Sequence, residues 1–172
     1  MVHVSTPAAN TERPAARERI AELDAWVGLL RAHAAATRRF NRELMGSHGL
    51  TINDFEVLVH LAHADGGRLR RVDLAERVLL TASGITRLLD GLERSKLVCK
   101  ASCSADARVT YAEITPAGRA LLADARESHV EGVRALFTER FTADELGELT
   151  RLLERLPLAP QGEVCPGADA AC

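Results

Sequence analysis

The stretch "RLRRVDLAERVLLTASGITRLLDGLERSKLV", residues 68–98, reads as two short helices joined by a tight turn. Leu74, Ala75 and Val78 recur at helical spacing and mark about two turns with one apolar side. Leu79 to Thr81 make the turn. Thr81 or Ser83 can cap a second helix, in which Ile85, Leu88, Leu89 and Leu92 fall at i, i+3, i+4 and i+7. Two helices so closely joined form a helix-turn-helix, and their close crossing calls for a residue as small as Ala75.

Outward from this unit the pattern changes. After Lys96 the period is two: Leu97, Cys99 and Ala101 alternate with Val98 and Lys100, and beyond a polar loop Thr110, Ala112 and Ile114 alternate with Val109, Tyr111 and Glu113. This predicts a β-hairpin with "SADAR" at its tip. Thr115 then caps a helix with Pro116 at its first position, running to about Phe141, and Thr142 with Glu145 forms the capping box of a last helix. Upstream, Leu23, Trp26, Val27, Leu30, Ala34 and Leu44 stripe a long helix from Ile20 to about Met45, stopped by "GSHG". Thr51 with Asp54 opens the next helix, and "DGG" breaks the chain at residues 65–67. Residues 1–17 and 157–172 lack apolar periodicity and read as flexible tails.

The 172 residues are 47% hydrophobic and only 3% aromatic, which suits one mainly helical domain. Its terminal helices carry apolar stripes too continuous for a small central unit to cover, so a second copy is the expected cover. Between Arg68 and Arg108 nine basic residues face five acidic ones, although the whole chain carries −2; a basic segment sits in an acidic frame. The beginning has no secretory signal and no run of eighteen apolar residues occurs, which predicts a cytoplasmic protein without a membrane partner. Cys99, Cys103, Cys165 and Cys172 read as thiols, since a core of this size needs no stapling. The chain lacks G-x-S-x-G, P-loop and HExxH patterns, so an enzyme is not expected. His60 with His63 supplies two of the four ligands zinc usually takes, so neither a metal nor another cofactor is expected.

A helix-turn-helix followed at once by a hairpin, with helices on both sides, resembles the winged helix-turn-helix of the MarR family of transcriptional regulators. "LAERVLLTASGITRLLDGLERSKLV", then "SADAR" where the family has Asp-x-Arg in its wing, then "ITPAGR" carry the resemblance, which covers Ala21 to Leu156. Ala107 departs from it, standing where many members have a second arginine. The expected fold is thus mainly α: a winged helix-turn-helix DNA-binding domain at 51–114, with N- and C-terminal helices, 18–50 and 115–156, forming a dimerisation domain.

In such a fold the second helix of the pair lies in the major groove. Its polar side here is Ser83, Thr86, Arg87, Asp90 and Arg94. Arg87 is the candidate for a base edge, because a guanidinium gives guanine two hydrogen bonds, and Ser83 and Thr86 suit phosphates or a thymine methyl. Arg108 in the wing suits the minor groove, with Asp106 fixing the loop. Arg70, Arg71 and Lys100 are candidate phosphate contacts. The resemblance further implies a homodimeric repressor on a palindromic operator of double-stranded DNA, released by a small phenolic or anionic effector. Trp26, His33 and His60 are the candidate effector residues, an aromatic wall with titratable donors. Two alternatives stand beside this reading. Cys99 and Cys103 flank the hairpin turn and could make a thiol-based redox sensor, although the resemblance puts that cysteine in the first helix. The same fold could also be a protein-docking module without DNA binding.

Overall fold

The structure is a computed structural model that describes residues 14–102 and 110–156, with side chains for residues 20–101 and 110–156. The chain divides within its first helix into two compact units, Met1–Arg38 and Arg39–Cys172. The expected tails, the wing residues Asp106, Ala107 and Arg108, and Cys103, Cys165 and Cys172 all lie outside the described residues.

Helix α1 (Pro14–His48) is longer at both ends than its apolar stripe implies. Up to Arg38 it exposes Ile20, Leu23, Trp26, Val27, Leu29 and Leu30. It stops at Gly49, the last residue of "GSHG": Gly49 has φ +67, and the amide of Leu50 returns to the carbonyl of Leu44 at 3.4 Å. That backward bond needs the left-handed residue glycine adopts without a Cβ penalty.

In the second unit, helix α2 (Ile52–His63) opens on the expected box, Thr51 Oγ1 accepting from the Asp54 amide at 3.1 Å and Asp54 Oδ2 from the Thr51 amide at 2.9 Å. A 3-10 turn, Asp65–Gly67, leads into strand β1 (Arg68–Arg70). Helices α3 (Arg71–Arg77) and α4 (Ala82–Arg94) are the expected pair, joined through Leu79 at φ 53. Thr81, not Ser83, is the cap, accepting from the Gly84 amide at 3.1 Å. Strands β2 (Val98–Ser102) and β3 (Thr110–Ile114) make the hairpin, and helices α5 (Pro116–Thr138) and α6 (Ala143–Leu153) follow, the first capped by Thr115 and the second boxed by Thr142 and Glu145.

The sheet has three antiparallel strands in the order β1-β3-β2, with Leu69 opposite Ala112 and Lys100 opposite Ala112 on its other side. Strand β1 was not expected, because an alternation only three residues long is too short to mark a strand. Leu44, Val57, Leu58, Leu61, Leu74 and Ile85 are fully buried in one core, together with Leu69, Val98, Ala112 and Ile114 from the sheet. The core holds α4 and the hairpin on one foundation. In contrast α6 buries no residue and leaves Leu152 and Leu153 exposed.

Candidate nucleic-acid interface

The geometry of α4 follows from its pattern. Ile85, Leu89 and Leu92 are buried, which turns Ser83, Arg87 and Arg94 outward, with Thr86 half-buried between them. Thr86 Oγ1 donates to the Ala82 carbonyl at 2.7 Å, and Ser83 Oγ lies 3.2 Å from Thr81 Oγ1. Arg87 and Arg94 each send Nε back to the carbonyl four residues earlier, Ser83 at 3.4 Å and Asp90 at 3.1 Å. These are bonds of a chain in water. They use one of the five donors of each guanidinium, and the terminal nitrogens remain available to a partner.

Two of the candidate phosphate contacts are already engaged. Arg70 makes a two-pronged ion pair with Asp73, Nε to Oδ2 at 2.8 Å and the second nitrogen to Oδ1 at 2.9 Å, which ties the end of β1 to the first turn of α3. Lys100 Nζ lies 2.9 Å from Asp90 Oδ1 and 2.8 Å from Glu93 Oε2, spanning the gap from β2 to α4. Its ammonium is raised in pKa, first by the Glu93 bond and then by that of Asp90. Arg71 is exposed and borders, with Thr86, Asp90, Lys100 and Tyr111, a cleft between α4 and the hairpin.

The remaining candidates fall elsewhere. Trp26 and His33 are exposed on α1 before Arg39. His60 is half-buried on α2, and burial, then the charges of Arg77 and His63, hold its pKa below the ordinary histidine value. Cys99 corrects the expectation of thiols: it is disulfide-bonded. The composition argument concerned whether a core needs a staple, and not whether two sulfurs come within bonding range. Among the described residues no group of three or more His, Cys, Asp or Glu could hold a metal, and no helix is long and apolar enough to cross a membrane.

The sequence reading missed two features. Glu93 stands three residues after Asp90, a spacing that does place both carboxylates on neighbouring positions of α4, but the lysine between them arrives from another element. His129 on α5 was also missed. Its ring packs against Phe40 and Phe55, centroids 4.8 and 4.7 Å away, and burial lowers its pKa while Glu43 partly opposes the shift.

A model of the MarR family matches residues 48–109, from the end of α1 to the start of β3. The homoprotocatechuate degradative operon repressor of Escherichia coli is 31% identical over 128 residues, which are 74% of this chain and 84% of the relative. The HTH-type transcriptional regulator MhqR of Bacillus subtilis is 29% identical over 136 residues, 79% of this chain and 91% of the relative. Among solved structures, the MarR family regulator Sco3205 of Streptomyces coelicolor in complex with DNA aligns with a TM-score of 0.69 and 27% identity, covering 77% of this chain and 88% of that one.

Proposed function

Because the chain belongs to the MarR family of DNA-binding transcriptional regulators and is not an enzyme, we propose that it is a homodimeric repressor. It holds a palindromic operator and lets go on binding a small phenolic or anionic compound. The observation that carries the DNA-reading part is α4, which buries Ile85, Leu89 and Leu92 in the core while Ser83, Thr86, Arg87 and Arg94 form its outer polar side. In the groove Arg87 takes a guanine edge, Ser83 and Thr86 take phosphates or a thymine methyl, Arg94 adds a further cation on the same side, and Arg108 enters the minor groove with Asp106 holding the loop. Arg71 joins the phosphate contacts. Arg70 is committed to Asp73 and is left out of that set.

The homodimer is supported by the exposed stripe Ile20, Leu23, Trp26, Val27 and Leu30 and by the exposed leucines of α6, apolar surface that a second copy would cover. Residues 18–50 and 115–156 form that dimerisation region. Repression and the effector class are supported by the Escherichia coli relative, named for an operon that degrades homoprotocatechuate, a phenolic acid. Trp26, His33 and His60 are the residues proposed to meet the effector. Acting on DNA, the protein works in the cytoplasm.

Titration of the protein with mixed duplex DNA at two salt concentrations tests the reading. Binding should weaken with a slope of about −0.9 per neutralised phosphate in a log–log plot. A docking module would show almost no affinity at either concentration, and that result rejects DNA binding. A redox reading is favoured by one observation, the bonded Cys99 in the hairpin. Under it, dithiothreitol changes operator affinity; equal affinity with and without the reductant removes it.

A further inference from the structure

We infer that Lys100 is a positioning residue for DNA binding, which draws Asp90 and Glu93 of α4 toward the hairpin and offsets part of their charge, and that it is not itself a phosphate contact. The inference rests on the proposed DNA-reading role of α4. Asp90 stands three residues after Arg87 and four before Arg94, so its carboxylate shares a helix face with the two arginines proposed to meet DNA. Glu93 adds a second negative charge one turn on. Left to themselves these carboxylates repel each other and any approaching phosphate, and a like charge brought against an interface is costly.

The lysine answers this. An ammonium offers three donors and no acceptor, and Lys100 spends two of them, at 2.9 Å on Asp90 Oδ1 and at 2.8 Å on Glu93 Oε2. Both carboxylates are thereby held on the hairpin side of α4, and the three side chains stay about half exposed. A surface ion pair contributes little to folding, so the consequence falls on the electrostatic potential of the groove-facing helix and on the angle between helix and wing.

Three variants of the full chain test this by equilibrium titration of one selected duplex across a salt series: Lys100→Met, Asp90→Asn with Glu93→Gln, and all three together. With two carboxylates uncovered, Lys100→Met should bind about tenfold more weakly than the parent in dilute salt. The triple variant should return to within about threefold of the parent and keep its salt slope, a coupling that only interacting residues give. A triple variant as weak as Lys100→Met, with the slope of both reduced by about 0.9, would make Lys100 a phosphate contact and overturn the inference. Parent-like binding by Lys100→Met would overturn it as well. A parent protein that ignores duplex DNA sinks the underlying reading of α4, whereas a parent that binds, with additive losses among the variants, sinks the role of Lys100 alone.

Discussion

Gly118 lies against the backbone carbonyl of Leu97 so closely that a Cβ at this position would run into the oxygen, and also into Ile114 Cγ1 at 2.9 Å. The contact is fixed from both sides, since Thr115 Oγ1 donates to the carbonyls of Lys96 at 2.8 Å and Leu97 at 3.1 Å. The head of α5 is thereby pinned to the turn between α4 and the wing. Gly118→Ala should destabilise the fold by about 1–3 kcal/mol, because the obstacle is backbone and cannot swing away. Gly147→Ala in α6, where nothing lies within 4 Å of the added Cβ, should instead gain about 0.5–1 kcal/mol. Urea unfolding of the two variants checks both signs; equal stabilities would refute the close approach.

Stability should fall as the pH falls below neutrality. Burial keeps His60 and His129 below the ordinary histidine value of 6.5, helped at His60 by Arg77 and His63 and opposed at His129 by Glu43. Near that value the unfolded chain therefore binds more protons than the folded one. The full stability is present above 6.5 and is lost as the pH falls from there through the depressed folded values. Melting temperatures at about pH 7.5 and pH 5.5 should differ less in His60→Asn/His129→Gln than in the parent. An undiminished difference would show that other groups dominate.

Leu23→Asp should split the proposed dimer, because it puts a charge in the middle of the exposed α1 stripe beside Trp26. Sedimentation equilibrium should then report one subunit where the parent reports two, and operator affinity should drop with the loss of the second reading helix. A dimer of unchanged strength would place the interface elsewhere.

Arg87→Ala should lose about 1–3 kcal/mol of discrimination between the selected operator and one with its guanine replaced, while affinity for mixed DNA changes little. Arg108→Ala should weaken binding several-fold, and more on A·T-rich flanks, where the narrow minor groove concentrates negative potential. Competition titrations separate the two effects. Parent-like selectivity in Arg87→Ala would remove it from the base contacts.

Much of the fold was legible because its signals are local. Thr51 with Asp54, Thr142 with Glu145 and Thr115 with Pro116 each announce a helix start within four residues, and all three do start helices there. The α4 stripe was equally plain, and its burial alone decides which side chains face outward. What escaped depends on distant partners. Strand β1 exists because β3 offers Ala112 opposite Leu69, more than forty residues away, and nothing in "RLR" itself signals extension. The two carboxylate partners of Lys100 were not legible because they sit on another element. The bonded state of Cys99 and the ring cluster at His129 are likewise tertiary facts.

Selection of duplexes from a random pool by the purified protein tests the central claim, two α4 helices presented by a symmetric pair to one face of DNA. The enriched sites should be inverted repeats whose half-site centres lie about one helical turn, 10–10.5 base pairs, apart. A pool that yields no common sequence, or a single unrepeated element, would contradict it.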